Sequence, residues 1–193
     1  MRQRLVVGMS GASGAIYGIR LLEVLQDHPA IETHLVLTKP AERTIVEETD
    51  RSPAAVRALA AVVHAPADIG APLASGSFTT MGMVIVPCSI RTVSAVAYCQ
   101  AGNLLTRAAD VTLKEGRKLV LVVREAPLHR GHLKAMLEAA ENGATIVPPV
   151  PAFYTRPTSI AEIVDHTVAR ILDQLGIEHA LSARWGEAPV AED

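Results

Sequence analysis

Several side chains in this sequence are of types, and at spacings, that could do chemistry. Arg107 and Lys114 stand seven residues apart, two helical turns, with Asp110 three after the first, so all three share one helix face. That face is either a cationic wall able to hold a phosphate or a solvated charged stripe. Arg124 and Glu125 follow the all-apolar run 119–123. They form either an end-of-strand ion pair or a guanidinium fork for a phosphate beside a carboxyl that can hand over a proton. Tyr154 lies in a segment too rich in proline for a helix, as a surface aromatic or a phenol donor to phosphate. Arg170 has His166 four residues before it on a helix face, and its plainer reading is a surface arginine. Glu48 is either an exposed helix-end acid or a group that orients a ligand or handles a proton. Trp185, the single tryptophan, either packs the tail against a neighbour or covers a pocket and excludes water.

Two further clusters carry less. His129 and His132 stand three apart, which superficially suggests a metal, but no third ligand is evident and both read as solvated. Cys88 precedes Ser89 without an assignable base, so it reads as buried packing rather than a nucleophile.

The elements that would position these groups begin with the stretch 8–18, GMSGASGAIYG. An apolar run (Leu5, Val6, Val7) enters it and a helical pattern (Ile16, Ile19, Leu22, Leu25) leaves it. Strand, small-residue turn and helix in that order make either a cradle for a phosphate or another anion, or a tight turn without a ligand. Ser10 and Ser13 add hydroxyls. Strands are expected at 4–9, 33–37, 83–87, 119–123 and 144–147. Helices are expected at 15–26, 41–48, 53–61, 92–101, 105–115, 131–142 and 159–175. The segment 68–77, rich in Pro, Gly, Ala and Ser, reads as a long, mobile or functional loop. The alternation predicts an α/β fold, a doubly wound parallel sheet of Rossmann-like or flavodoxin-like type, in one domain over 1–193 with a tail from about 176. Ligands in such sheets sit beyond the carboxyl ends of the strands. Those ends carry Ser13, Thr38–Lys39, Ser89 and Arg124–Glu125, four strands delivering polar groups to one edge.

Bulk properties narrow the ligand and partner classes. The chain has 193 residues, 49% of them apolar, with a net charge of −2 and a mean hydropathy of +0.26. No apolar run reaches the roughly 18 residues that span a membrane. The surplus apolar surface is expected between subunits of a homo-oligomer. Gly8, Gly11 and Gly14 break the N-terminal apolar run too early for an export signal, and two cysteines make no disulfide framework, so the cytoplasm is expected. Six aromatic residues and no basic block speak against nucleic acid. A dinucleotide fits poorly: Ser10 replaces the second glycine of G-x-G-x-x-G, and Thr38–Lys39 stands where an acid should hold a ribose diol. No G-K-[ST] follows, which excludes a P-loop. Flavin mononucleotide (FMN) fits, with one phosphate for the turns and a ribityl chain for hydroxyls and amides.

Long ordered motifs then point further. GASGAIYGIRLLEVL at 11–25, EETD at 47–50, ASGSF at 74–78, PCSIRT at 87–92 and RAADVTLKEGRKLVLVVREAPLH at 107–129 share one pattern. PPVPAFYTRP at 148–157 and ILDQLGIEHALSARW at 171–185 continue it. Together they resemble the UbiX-type flavin prenyltransferases, including relatives encoded beside phenolic-acid decarboxylases. The resemblance covers nearly the whole chain and implies a flavodoxin-like fold in a dodecamer. It implies a metal-independent transfer of a dimethylallyl group from dimethylallyl phosphate to N5 and C6 of reduced FMN. The product, prenylated FMN, serves UbiD-type decarboxylases in ubiquinone synthesis or aromatic-acid metabolism. The resemblance matches Gly11, Ala12, Ser13, Thr38, Ser89, Ile90, Arg91, Thr92 and Arg124 to FMN binding. It matches Tyr154 and Arg170 to dimethylallyl phosphate, with Lys114 and Arg107 as a cationic wall. Glu48, Lys114, Glu125, Ser13 and Trp185 match further active-site positions. Thr38 replaces a common serine and keeps its hydroxyl; Val123 replaces a common proline inside the strand.

Two other functions compete. A related group of flavin-dependent cysteine decarboxylases shares the fold but carries a PASANT-type run and an essential histidine, where this chain has PCSIRT and no placeable histidine. A non-catalytic FMN-binding module would leave Lys114, Glu125, Tyr154 and Arg170 without a shared purpose.

Overall fold

In the computed structural model, which describes residues 2–182, alternation within the strands builds two cores on one sheet. In β1 (Gln3–Met9), Leu5, Val7 and Met9 face one side and Val6 the other. The same split recurs in β2 (Ile31–Leu37), β4 (Gly82–Cys88) and β5 (Lys118–Val123). A strand covered on both faces must be apolar throughout, which is why β4 is buried along its whole length. Helices α1 (Ala15–Gln26), α2 (Lys39–Glu48), α3 (Pro53–Arg57) and α7 (Ile160–Leu175) close the first core. Helices α4 (Ile90–Ala97), α5 (Leu104–Lys114) and α6 (Arg130–Glu141) close the second. Gly18 brings α1 close to β4: a Cβ there would strike the Val86 carbonyl and Met9.

All six strands run parallel in the order β3-β2-β1-β4-β5-β6, with β3 at Val62–His64 and β6 at Ala144–Ile146. The chain winds outward from β1 through β2 and β3, then returns to the other side of β1 as β4. The switch point therefore lies between β1 and β4. Without the short edge strand β3, the five remaining strands have the flavodoxin-like order. The sequence reading carried the helix from 53 on to 61 and missed β3. α3 stops at Arg57, and the Thr33 hydroxyl accepts the Ala61 N–H at 3.0 Å, turning the chain into the sheet edge. Three half-exposed residues give too little periodicity to announce a strand.

The segment 68–77 is not free. Ala71 and Leu73 are buried, and a short 3-10 turn spans Pro72–Ala74. Arg107 donates to the Ala74 carbonyl at 3.3 Å, and Arg117 to the Gly76 and Phe78 carbonyls at 2.7 and 3.1 Å. The basic residues of and after α5 hold this segment as a strap. Among the described residues, no helix is long and apolar enough to cross a membrane.

Candidate functional site: a crevice at the switch point

Ser10, the first residue after β1, is 3% exposed and fully bonded. Its hydroxyl donates to the Pro87 carbonyl at 2.9 Å and accepts the Ser89 N–H at 2.7 Å. One buried side chain thereby locks the turn after β1 to the turn after β4. Gly11 follows, and a Cβ there would collide with Pro40. Thr38 ends β2 and caps α2: its hydroxyl donates to the Met9 carbonyl at 3.1 Å and accepts the Ala41 N–H at 3.3 Å. Ser89 caps α4 through the Thr92 N–H at 3.3 Å and shares a 3.0 Å contact with the Thr92 hydroxyl. Asn103 caps α5 in a reciprocal capping box with Thr106.

These caps surround a crevice of about 540 Å³ lined by Gly11, Thr38, Ser89–Thr92 and Asn103, among others. Helices α2, α4 and α5 all open their N-termini on it. Each contributes partial positive charge and unpaired backbone donors. Among the described lining residues Arg91 is the one formal charge and no acid is present. The volume and the donor-rich wall suit a phosphate-bearing ligand of FMN size.

Helix α1 behaves differently. Gly14, at φ 103°, starts α1 in a left-handed conformation that other residues rarely adopt. The end of α1 is filled by Glu48 from the last turn of α2: its carboxylate accepts the Gly14 and Ala15 N–H groups at 2.8 and 3.0 Å. Burial pushes the Glu48 carboxyl up. The Ser13 hydroxyl, the two N–H groups and the Arg124 charge outweigh that and hold it below the usual carboxylate range. The anion cradle expected at the first turn is thus occupied by the protein's own carboxylate. Ala12 is buried and its N–H donates to the Ser10 carbonyl, and Ser13 turns to Glu48. Of the three residues expected at FMN in this turn, only Gly11 lines the crevice.

Arg124 leaves β5 with its N–H on the Cys88 carbonyl at 3.1 Å, beside the end of β4. Glu125 follows and accepts the Ala126 N–H at 3.1 Å. Cys88 itself is fully buried, and burial drives its thiol far above the range in which a thiolate forms. His129 caps α6 by accepting the Gly131 N–H at 3.0 Å, and its ring centroid lies 3.4 Å from that of His132. His132 is half-buried, with its Nδ1 buried and without a partner among the described residues.

The remaining expected residues lie elsewhere. Lys114 ends α5 and pairs with Glu115. It precedes β5, whereas Arg124 follows it, so the two stand at opposite ends of a strand about 17 Å long. Arg107 pairs with Asp110 at 2.8 Å on the strap side of α5. Tyr154 Oη meets His166 Nε2 at 3.0 Å, and Arg170, one turn further along α7, pairs with Asp173 at 2.6 Å. Arg124 and Glu125 follow the strand next to β4 but are not among the crevice-lining residues, and Lys114 and Arg170 lie on helices covering opposite faces of the sheet. Trp185 lies outside the described residues. Sequence reasoning missed Pro40, Gln100, Asn103 and Thr106 as crevice residues. Asn103 with Thr106 three positions later was the available sign, an N-cap for a helix that starts one residue before the expected position.

The family model described as Flavoprotein matches residues 1–172, so the chain belongs to that family. The chain is 58% identical over 185 residues to flavin prenyltransferase UbiX of Escherichia coli (strain K12), covering 95% of this chain and 98% of that one. It belongs to the UbiX flavin prenyltransferase family. Its structure is similar to that of AnUbiX (PadA1) in complex with FMN and dimethylallyl pyrophosphate, with a TM-score of 0.95 and 48% identity over 98% of this chain and 100% of that one. It is also similar to a dodecameric FMN-dependent UbiX-like decarboxylase from Escherichia coli O157:H7, with a TM-score of 0.93 and 51% identity over 95% and 99% of the two chains.

Proposed function

We propose that the protein transfers a dimethylallyl group from dimethylallyl phosphate to reduced FMN and yields prenylated FMN for a UbiD-type decarboxylase. The crevice carries this reading: three capped helix N-termini around about 540 Å³, in a chain that matches flavin prenyltransferases nearly end to end. Reduced FMN supplies the nucleophilic N5 and C6 atoms when bound. Gly11, Thr38 and the segment Ser89–Thr92 hold its phosphate and ribityl chain, and Arg124 reaches its outer edge. Ala12 and Ser13 shape the turn, Ser13 through its bond to Glu48.

The allylic C–O bond breaks with its electron pair on the phosphate. Negative charge therefore grows on the leaving oxygens, and Tyr154, Arg170 and Lys114 are of the types that stabilise it where it grows. Glu125 delivers a proton to the leaving phosphate. Arg170 is exposed but pairs with the largely buried Asp173, whereas Lys114 and Glu115 form an exposed pair, worth only about 0–1 kcal/mol. Exchanging such a partner for a phosphate costs little. Glu48 holds the first turn and faces Arg124.

These groups are separated in one chain, so we infer that copies complete one another's sites in a homo-oligomer, a dodecamer as in the relative. Leu133 and Leu137, four apart on α6 and 54% and 59% exposed, offer one apolar face for such contacts. The chain acts as one flavoprotein domain in the cytoplasm. The direct test is anaerobic: reduced FMN and dimethylallyl phosphate are mixed with the protein and the extracted flavin is weighed by mass spectrometry. A gain of one five-carbon unit is expected. Bound but unmodified FMN would overturn the reading and direct attention to cysteine decarboxylation.

A further inference from the structure

One side chain in the crevice has a fixed orientation and half of its hydrogen-bonding capacity unspent. Asn103 Oδ1 accepts the Thr106 N–H at 3.0 Å and lies 3.3 Å from the Thr106 hydroxyl. Only the carbonyl end of an amide can accept a helix N–H, so the cap leaves Nδ2, with its two donor hydrogens, as the other end. Among the described residues Nδ2 meets no acceptor, and Asn103 lines the crevice. The position is held from outside the cap as well. The Leu104 N–H donates to the Pro66 carbonyl at 2.8 Å, which ties the start of α5 to the segment after β3. The turn before it holds Cys99 at φ 54°, a conformation that costs a non-glycine residue about 1 kcal/mol or more and persists only where its surroundings impose it.

We propose that Asn103 Nδ2 donates a hydrogen bond to a phosphate oxygen of FMN in this crevice. The inference rests on the FMN reading above and adds to it a residue from the start of α5. An acceptor is required because Nδ2 can only donate. The phosphate is selected over the flavin carbonyls by the surroundings, with three helix N-termini converging there, Arg91 beside them and no acid among the described lining residues.

Two substitutions separate this role from capping. Asn103→Asp keeps a capping oxygen of equal rank but removes both donors and adds a negative charge; Asn103→Ser keeps a neutral cap and removes the donors. Binding of FMN and of riboflavin, which lacks the phosphate, is titrated against the wild type and both variants, alongside their melting temperatures. Melting within a few degrees of wild type is expected, with FMN affinity about tenfold lower for Asn103→Ser and lower still for Asn103→Asp. Riboflavin affinity is expected to be unchanged. The FMN-to-riboflavin affinity ratio reads the contact independently of any loss of folded protein. Unchanged FMN affinity in both variants overturns the proposal, and so does an equal loss for riboflavin, which would put the contact on the ring or the ribityl chain. Failure of the wild type to bind FMN would instead overturn the reading on which it rests.

Discussion

The crevice and the outer cations solve the problem of holding a phosphate in opposite ways. In the crevice, Ser10, Thr38, Ser89 and Asn103 are each fixed by hydrogen bonds of their own before any ligand arrives. Their geometry is written into one chain, and a ligand there meets prepaid order. On the outer faces, Lys114 and Arg170 pair with carboxylates one and three residues away, and Arg107 pairs with Asp110 and donates to the Ala74 carbonyl. Lys114 and Arg107 lie on α5 and Arg170 on α7, helices that cover opposite faces of the sheet. A ligand held in one fixed pose while its ring reacts suits the first arrangement. A substrate that must arrive, lose its phosphate and leave suits the second, provided a neighbour brings the pieces together.

The largest effect that would break this comparison is on catalysis. Arg170→Ala should lower kcat/KM for dimethylallyl phosphate by about a hundredfold, as expected for a lost charge-stabilising donor. Its FMN affinity should stay within about twofold of wild type. Lys114→Ala should behave alike. The two inactive variants, unfolded and reassembled as a mixture, should regain activity in roughly a quarter of their sites if each site takes Lys114 and Arg170 from different chains at random. No regain would mean that one chain supplies both, and the separation of the two residues across the sheet would have to close by a large rearrangement.

The next effect is smaller and belongs to the crevice. Ser10→Ala removes a buried hydroxyl and leaves the Ser89 N–H without its partner, while the Pro87 carbonyl keeps the Ser10 backbone N–H at 3.1 Å, at a cost of about 1–3 kcal/mol. A fall in melting temperature of roughly 2–12 °C is expected for a chain of this size. FMN affinity should fall about tenfold while Arg170-dependent substrate affinity, measured at saturating FMN, holds. A variant as stable as wild type, with unchanged FMN binding, would show that the crevice is not fixed by this clamp.

What could be seen beforehand follows the same division. The strand–turn–helix order and the polar residues ending four strands were legible because alternation and helical spacing are local signals, and the caps at Thr38 and Ser89 stand where those signals meet. Four features were not legible. Glu48 filling the start of α1 depends on the packing of α2 against α1, thirty-three residues apart in sequence. The strap at 68–77 looks loose by composition and is held by Arg107 and Arg117, distant in sequence. β3 is too short to show a period. The separation of Lys114 from the crevice was hidden because a shared helix face says nothing about which end of the sheet that helix reaches.

The smallest effect tests the plugged helix end against the open ones. Glu48 is ionised and bonded to the start of α1, its carboxyl lowered in the folded protein because the hydrogen bonds and the Arg124 charge outweigh burial. A group with a depressed folded value adds stability that is present above its unfolded value and is lost as pH falls through the folded one. Wild-type melting temperature should therefore decline on acidification below the ordinary carboxylate range, in part through Glu48. Glu48→Gln keeps an oxygen to accept the Gly14 and Ala15 N–H groups and removes the charge. Its melting temperature should lie slightly below wild type at neutral pH, and the two curves should converge as the medium is acidified. Curves that stay parallel down the acid limb would mean that the charge at this helix end does not matter. The plug would then be a matter of shape alone, and the contrast with the three open ends around the crevice would rest on hydrogen bonding rather than on electrostatics.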